Sequence, residues 1–320
     1  MNNINSDQKG IAVLIEKPGS ISLNELEIDE LADEDLMIDV EFSGISTGTE
    51  RLLFEGRMPN FPGMGYPLVP GYESVGKVIA TGSEVATKIG ESVFVPGAQC
   101  FGKVRGLFGG ACSKIVVPDS RVTKLKKLSC PEDTLLALAA TAHHVFSAES
   151  KDSAPDLIVG HGALGRLLAR ISLIKGLNPI VIEKSSHRRS GNFDYEVCKP
   201  EEVDGKKFSC VVDASGDISQ LDFFVSLMAK RGELVLAGFY DQKISFAFVP
   251  TFMKEINFRV SAQWQPEDLR VVSQWYLEEI LSLDNLITHQ LSAEGARHAY
   301  ETAFNNPSCL KMILDWKEFH

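Results

Sequence analysis

Three glycines with the spacing Gly-x-Gly-x-x-Gly, at positions 160, 162 and 165, carry the clearest chemistry in the sequence. They follow the apolar run DLIV and open an amphipathic segment, so the motif predicts a tight turn from a strand into a helix. Free backbone N–H groups and the helix dipole attract phosphate at such a turn. The sequence therefore predicts a dinucleotide site. The residues expected to form it are Gly160, His161, Gly162, Ala163, Leu164 and Gly165.

A carboxylate, Glu183, ends the next predicted strand, eighteen residues after Gly165. At that place a carboxylate accepts hydrogen bonds from the adenosine ribose and repels a 2′-phosphate, which favours NAD over NADP. Lys184, Arg188 and Arg189 follow at once and would hold such a phosphate if Glu183 turned away. Their alternative interpretation is a solvated surface loop. NAD is the predicted cofactor, and NADP stays open as the alternative.

Further cofactor contacts are predicted where two later strands end, because parallel sheets bind ligands at that edge. The residues predicted to line the nicotinamide path are Ser215, Gly216, Ala237, Gly238 and Phe239. A Tyr-x-x-x-Lys pair, Tyr195 and Lys199, has the spacing that short-chain dehydrogenases use for acid–base chemistry. It lies just beyond the second predicted strand, on the adenosine side of the sheet. We therefore assign this pair no catalytic role.

Alternating strands and helices must position this site. From Pro131 onward, apolar runs such as PIVIE and ELVLAGF alternate with helical segments such as GRLLARISLIKG and LDFFVSLMAKRG. This pattern predicts a doubly wound parallel sheet of the Rossmann type. Residues 1–127 show short alternating runs broken by recurrent glycines, which predicts a β-rich barrel or folded sheet. We expect the last helix and strand to rejoin that half, so the predicted domains are 1–127 with 263–320, and 128–262.

Composition excludes several classes of partner. The chain has 320 residues and a formal net charge of −11, so it lacks the basic surface that nucleic acids or anionic membranes require. No apolar run reaches the roughly 18 residues of a membrane span, and the N-terminus MNNINSDQKG lacks a signal-peptide core. Six scattered cysteines without a CxxC pair indicate reduced thiols. We expect a cytoplasmic protein that acts on a small molecule.

The segment GYESVG, residues 71–76, followed by Gly82, resembles the GHExxGxxxxxG signature of the medium-chain dehydrogenases, with Tyr72 at the histidine position. The segment SGISTGTE, residues 43–50, resembles the one that supplies a zinc-binding cysteine, and Ser46 takes that place. Hydroxyl groups are poor ligands for zinc, which prefers thiolate and imidazole, so no metal is expected. The resemblance implies an α/β fold, with a GroES-like β-rich catalytic domain beside the Rossmann domain.

Longer stretches narrow the resemblance. They run in order along nearly the whole chain and are SGISTGTE, GRMPNFPGMGYPLVPGYES, FVPGAQCFGKVRGLFGGA, LALAATAHH, VGHGALGRLLAR, LAGFYDQKISFAF and CLKMILDW. Together they are similar to the bacteriochlorophyllide 3-hydroxyethyl dehydrogenases of bacteriochlorophyll synthesis. That family oxidises the 1-hydroxyethyl group on ring A of a chlorin or bacteriochlorin to an acetyl group, and the hydride passes to NAD. The resemblance also implies a homodimer formed through the sheet edge of the nucleotide domain.

A tetrapyrrole needs a wide apolar slot with a few polar anchors. Two loops rich in glycine and proline offer apolar side chains for such a slot, namely Met58, Phe61, Met64, Tyr66, Phe101 and Phe108. Arg57, Lys103 and Arg105 lie in the same loops and are candidates to bind the propionate carboxylate. In the alternative interpretation the apolar side chains only pack their own loops and the cations are solvated.

Without a metal, another group must take the hydroxyl proton and hold the developing alkoxide. By position, Tyr72 and Ser46 should face the nicotinamide, with Thr47, Glu50 and Glu73 close. Histidine titrates near neutrality, so we expect Tyr72 or Ser46 to hold the substrate oxygen and His143 to take its proton. The pair of His143 and His144 is expected to start a helix that links the domains; alternatively one contacts the substrate's magnesium or both are structural. Alternatively, Glu73 is structural and holds its loop through backbone amides.

Two other functions stay open at this point. One is a zinc-free quinone or enone reductase that uses NADPH, against which Glu183 and the specific loop segments argue. The other is a non-catalytic nucleotide-binding protein that lost its activity together with its metal. The first would reduce a quinone, and the second would bind the cofactor without turnover.

Overall fold

A computed structural model describes residues 8–125, 128–147, 154–240 and 242–320. Most of the polar N-terminal segment discussed above lies outside the described residues. The chain divides into two compact units: one ends at Leu136 and resumes at Ile287, and the other is Ala137–Leu286. No helix among the described residues combines the length and the apolar character needed to cross a membrane.

The strands, in chain order, are β1 (Lys9–Lys17), β2 (Ser20–Glu27), β3 (Asp35–Ile45), β4 (Leu68–Val69), β5 (Ser74–Thr81), β6 (Ser92–Val95), β7 (Arg105–Gly106), β8 (Lys114–Pro118), β9 (Thr123–Lys124), β10 (Leu157–Val159), β11 (Ile180–Ile182), β12 (Glu196–Cys198), β13 (Phe208–Asp213), β14 (Met228–Leu236), β15 (Asn257–Val260), β16 (His289–Ser292) and β17 (Met312–Asp315). The α-helices are α1 (Thr49–Glu55), α2 (Leu136–His144), α3 (Ala163–Ile174), α4 (Ser186–Arg189), α5 (Leu221–Leu227), α6 (Phe248–Lys254), α7 (Pro266–Leu277) and α8 (Ala296–Asn305).

The first unit is built from two sheets. A four-stranded sheet has the order β2-β1-β4-β7, and a larger one has the order β16-β17-β3-β5-β6-β9, with β8 also paired to β3. Strand β17 runs antiparallel to β3, so the end of the chain returns to this unit as expected. The approach of β5 to β3 requires glycine at Gly76, because a Cβ there would lie 2.1 Å from the carbonyl oxygen of Asp39.

The second unit contains one sheet in the order β12-β11-β10-β13-β14-β15, in which all neighbours are parallel. The predicted α/β fold with a Rossmann-type sheet is confirmed. The strand order reverses direction between β10 and β13, which is where such sheets bind dinucleotides.

Two boundaries differ from the sequence prediction. The second unit extends to Leu286 rather than to 262, because the guanidinium of Arg170 in α3 donates to the carbonyls of Ser282 and Asp284. Helix α7 therefore belongs to the nucleotide-binding unit. Helix α5 ends at Leu227, earlier than predicted, because Met228 is extended and begins β14, which pairs with β13.

Candidate functional site

Two hydroxyl groups meet at the place where the sequence predicted the catalytic centre. Ser46 follows the end of β3, Tyr72 lies between β4 and β5, and Ser46 Oγ is 2.6 Å from Tyr72 Oη. The hydroxyl of Thr49 also bonds Tyr72. Thr47, which we predicted to contribute, is exposed in the turn before α1. The ring of Phe108 packs edge-on against Tyr72, with centroids 5.6 Å apart.

The phenol of Tyr72 is held in its protonated form. Burial, and after it the charge of Glu73, raises the pKa of Tyr72 far above its ordinary value, and the hydrogen bonds from Ser46 and Thr49 only partly oppose this. A neutral phenol donates a hydrogen bond and does not remove a proton. Tyr72 therefore suits the role of holding a substrate oxygen, and another group must act as the base.

Behind the hydroxyl pair lies a buried carboxylate, Glu50, on the first turn of α1. Its Oε1 accepts a hydrogen bond from the backbone N–H of Ser46 at 2.9 Å, and its Oε2 accepts one from Tyr300 Oη at 2.6 Å. Burial raises the pKa of Glu50 to about 7. The sequence placed Glu50 near the site and missed Tyr300, since a tyrosine in α8 carries no local signal of this contact.

The next carboxylate, Glu73, forms a buried ion pair with Lys311 at the edge of β17. This corrects the expected alternative in which Glu73 holds its loop through backbone amides. Glu73 Oε1 is buried and has no hydrogen-bond partner among the described residues. Both side chains lie over Gly44, where a Cβ would be 2.3 Å from Glu73 Oε2 and 3.0 Å from Lys311 Cε. The glycine is therefore needed for the pair to form.

This set of side chains does not fit zinc. The groups at the two ligand positions are the hydroxyls of Ser46 and Tyr72, which bond each other, and zinc prefers thiolate and imidazole. The nearby carboxylate of Glu73 is already paired with an ammonium group. Among the described residues, no three His, Cys, Asp or Glu side chains are grouped so as to hold a metal ion.

The glycine motif of the second unit forms the predicted turn between β10 and α3. Gly160 has a φ of +93°, which favours glycine, and a Cβ on Gly165 would lie 1.9 Å from the carbonyl oxygen of Gly160. Of the atoms in the described part of the chain, a Cβ on Gly162 would come within 4 Å only of the guanidinium of Arg188, at 3.9 Å. The backbone thus leaves open space at the start of α3, which fits a pyrophosphate held by backbone N–H groups.

Glu183 supports this turn directly. Its Oε2 accepts from the backbone N–H of His161 and its Oε1 from that of Ser185, each at 2.8 Å. The carboxylate is thus fixed in place, and each oxygen retains one lone pair for a ribose hydroxyl. Two of the three cations that follow are engaged: Lys184 pairs with Asp217, and Arg189 donates to the carbonyls of Glu183 and Lys184.

The side chain of His161 lies under the glycine turn and is fully buried, so it supports the site and does not contact a cofactor through its ring. Its Nδ1 bonds the carbonyl oxygen of Arg188 at 2.7 Å, and its Nε2 is 2.8 Å from Tyr195 Oη. Burial lowers the pKa of His161 to about 4, so the ring is neutral, donates to the carbonyl and accepts from the phenol. Tyr195 therefore lies beside the glycine turn, and its place on the adenosine side stays a prediction.

A buried carboxylate that the sequence analysis missed, Asp213, organises the predicted nicotinamide edge. Its carboxylate accepts from the backbone N–H and hydroxyl of Ser215 and from the phenol of Tyr240. Its backbone carbonyl accepts from the N–H groups of Ala237 and Gly238. Burial raises the pKa of Asp213. One residue thus joins the two strand ends that were predicted to line the cofactor.

His143 and His144 share one carboxylate within the second unit. They end α2 and do not start a helix, because the helix begins earlier, at Leu136. Their Nδ1 atoms lie 2.7 and 2.8 Å from Asp268 Oδ1 and Oδ2. Burial alone would raise the pKa of Asp268, but hydrogen bonds from Gln265 N–H and both imidazoles lower it. An ionised Asp268 requires Nδ1–H on each ring, which leaves Nε2 of His143 free to accept a proton.

The residues predicted for a substrate slot fall into two groups. Met58 and Phe101 are buried in hydrophobic clusters of the first unit, which corrects their prediction as slot-lining side chains. Apolar residue types serve a core and a slot equally, so the sequence could not separate them. Phe61 and Phe108 are exposed, and Met64 and Tyr66 are half-buried against the cluster that contains Met58.

The three candidate anchors for a carboxylate also differ. Arg57 is ion-paired with Glu55, which lowers its availability for a ligand. Arg105 donates to the carbonyl of Tyr66 at 3.4 Å and remains exposed, as does Lys103. Arg105 and Lys103 are therefore the stronger candidates.

Comparison with known proteins places these features in a family. Residues 32–127 match the alcohol dehydrogenase GroES-like domain. The 2-desacetyl-2-hydroxyethyl bacteriochlorophyllide A dehydrogenase of Rhodobacter capsulatus is 50% identical over 308 residues, which cover 96% of this chain and 98% of that protein. The protein of the same name from Cereibacter sphaeroides is 46% identical over 312 residues, with coverage of 96% and 98%.

Solved structures confirm the fold. The crystal structure of an alcohol dehydrogenase (rspB) from Escherichia coli CFT073, complexed with NADH, matches with a TM-score of 0.82 at 22% identity. The match covers 96% of this chain and 99% of that chain. At this identity the likeness shows a shared fold, and the reaction must be argued from the side chains described above.

Proposed function

Because the chain belongs to the 2-desacetyl-2-hydroxyethyl bacteriochlorophyllide A dehydrogenases, we propose that it oxidises the 3-(1-hydroxyethyl) group of a chlorophyllide or bacteriochlorophyllide to an acetyl group. The observation that carries the proposal is the contact of Ser46 Oγ with Tyr72 Oη, at 2.6 Å, where metal-dependent relatives have two zinc ligands. A protonated phenol and a hydroxyl at that place can hold a carbinol oxygen without a metal.

In the proposed reaction, Tyr72 and Ser46 hold the substrate oxygen and His143 accepts its proton through Nε2. Asp268 fixes the tautomer of His143 and stabilises the imidazolium that forms, as in other histidine–carboxylate pairs. A bound oxidised nicotinamide supplies the hydride acceptor. The carbinol C–H bond breaks with its electron pair leaving as hydride, the O–H proton passes to His143, and the carbonyl bond forms.

The substrate slot is proposed to use the exposed faces of Phe61 and Phe108, with Met64 and Tyr66 beside them. Apolar side chains of this kind suit a flat macrocycle, and Arg105 or Lys103 would bind its propionate group. Met58 and Phe101 would support these loops from the core.

The direct test is turnover. Purified protein is incubated with NAD and 3-hydroxyethyl chlorophyllide or bacteriochlorophyllide, and the absorption shift is followed as the new carbonyl joins the ring conjugation. We expect the shift together with stoichiometric NADH. Reduction of a quinone by NADPH without any pigment shift would favour the reductase alternative, and cofactor binding without either reaction would favour a non-catalytic protein.

NAD is the proposed cofactor, and NADH is expected to bind at least about tenfold more tightly than NADPH. A 2′-phosphate would meet the fixed carboxylate of Glu183, and a repulsion of about 1.4 kcal/mol corresponds to a tenfold ratio. Fluorescence titration of both reduced cofactors measures it. The matched variant Arg188→Ala removes the cation beside Gly162. The assignment would be reversed if the native protein bound NADPH much more tightly than NADH and the Arg188→Ala variant lost that preference.

A homodimer formed through strand β15 is also proposed. This strand is at the edge of the sheet, and Val260 on it is 69% exposed. The neighbouring helix α6 exposes Phe248, Phe252 and Met253 beside an open groove of about 530 Å³. Among the described residues the outer edge of β15 has no partner strand, and an apolar surface beside such an edge suits a second copy of the same chain. Light scattering should give a dimer mass for the native protein and a monomer mass for Val260→Lys. A monomeric native protein would contradict the proposal.

A further inference from the structure

A buried pair behind the hydroxyl groups is not explained by the proton path proposed above. Glu50 and Tyr300 are each 1% exposed, and the phenol of Tyr300 donates to Glu50 Oε2 at 2.6 Å. The other carboxylate oxygen accepts the backbone N–H of Ser46 at 2.9 Å. The carboxylate thus binds the residue whose hydroxyl lies 2.6 Å from Tyr72 Oη.

A helix cap alone does not account for this arrangement. A glutamate on the first turn of a helix can accept a backbone N–H while exposed to solvent, at little cost. Here the carboxylate is buried, which is unfavourable unless it is well bonded. Its second partner, Tyr300, comes from a helix 250 residues later in the chain. The fold therefore maintains a buried ionisable group directly beside the proposed catalytic centre.

Two charged side chains and two phenols among the described residues face Glu50. Glu73, between β4 and β5, and Lys311, at the edge of β17, act on it through space with opposite signs, and Tyr300 bonds it from α8. Tyr72 also faces it. Burial is the largest influence and raises the pKa of Glu50 to about 7, while the hydrogen bonds from Tyr300 and Ser46 lower it. The protonation state of Glu50 therefore changes near neutral pH.

Protonation would alter the hydrogen bonds on Ser46. An ionised carboxylate accepts from both the backbone N–H of Ser46 and the phenol of Tyr300. A protonated carboxyl must use one oxygen as a donor, and a backbone N–H cannot accept. The ionised form is therefore the one that fits both partners as they are placed.

We propose that Glu50 and Tyr300 are positioning residues for the alcohol oxidation: the ionised carboxylate, held by Tyr300, fixes the backbone of Ser46 and so orients the Ser46 hydroxyl against Tyr72. The proposal rests on the proposed function for its kinetic consequences. Turnover should fall on the acidic side as Glu50 takes up a proton.

The test is the pH profile of kcat in Tyr300→Phe and Glu50→Gln. Loss of the phenol removes a hydrogen bond that lowers the pKa of Glu50, so the acidic limb should move upward by about 1 pH unit in Tyr300→Phe. In Glu50→Gln that limb should become shallower, because only the proposed base then still takes up a proton, and kcat should fall. The matched variant Tyr195→Phe removes a half-buried phenol from the other unit and should leave the limb where it is. A limb that does not move in Tyr300→Phe, or whose slope is unchanged in Glu50→Gln, would overturn the proposal.

A second measurement needs no substrate. The pKa of Glu50 is raised from 4.5 to about 7 by folding, so the folded state binds the extra proton and loses stability as pH rises across that interval. The melting temperature of Glu50→Gln should therefore increase relative to the native protein between about pH 5 and about pH 8. A constant difference would overturn the ionisable role of Glu50. If the melting temperatures change with pH as expected but the protein does not oxidise the pigment, the result would instead count against the proposed function.

Discussion

Replacement of Lys311 by methionine is expected to lower the free energy of unfolding of the first unit by about 3–5 kcal/mol. The ammonium of Lys311 and the carboxylate of Glu73 are both buried, and the variant leaves that carboxylate without its charged partner. The cost should decrease at acidic pH, because a neutral carboxyl is cheaper to bury than a carboxylate. Urea and thermal unfolding at several pH values measure the effect.

Two further variants interpret that result. The double variant Lys311→Met with Glu73→Gln buries no charge and should recover much of the loss. Lys9→Met removes an exposed partner of Glu25, an ion pair with a distance of 2.7 Å, and should cost about 1 kcal/mol or less. Equal losses in Lys311→Met and Lys9→Met would show that burial of the Glu73 pair does not contribute as described.

The variant His143→Ala is expected to reduce turnover by about 100-fold or more, which is the usual contribution of a positioned general base. The affinity for NADH should change little, because the glycine turn and Glu183 do not depend on this ring. Steady-state rates of pigment oxidation and a fluorescence titration of NADH give the two quantities. Activity comparable to that of the native protein would eliminate His143 as the base.

His144→Ala is the matched control for that experiment. His144 bonds the other oxygen of the same carboxylate, Asp268, so its loss disturbs the same helix contact. A structural role for Asp268 predicts similar losses in both variants. A base at His143 predicts a much larger loss in its own variant, and the reverse order would assign the base to His144.

Local patterns in the sequence were sufficient to predict those features that residues close together in the chain form. The glycine motif predicted the turn into α3, and apolar runs predicted the parallel sheet, because spacing along the chain determines both. Tyr72 and Ser46 were predicted to lie at the same site because the segments that contain them resemble the same family. The prediction that they meet is supported by their contact at 2.6 Å.

Contacts between distant residues were not predictable in the same way. Glu73 and Lys311 are 238 residues apart and meet because β17 pairs with β3, over the bare Cα of Gly44. No periodicity in either segment encodes that partner. The end of the second unit was misplaced for a similar reason, since Arg170 retains residues 282–284 through backbone carbonyls, which any residue type provides.

The ring of His161 gives the cofactor site a practical property. Protein engineers can replace the glycine motif on its own, or replace the loop after the second strand to change cofactor preference. In this chain the ring between the first two glycines is bonded to the carbonyl of Arg188 and the phenol of Tyr195. Exchange of that loop would therefore also change the residues beneath the proposed pyrophosphate site, so selectivity and affinity for the cofactor must be engineered together.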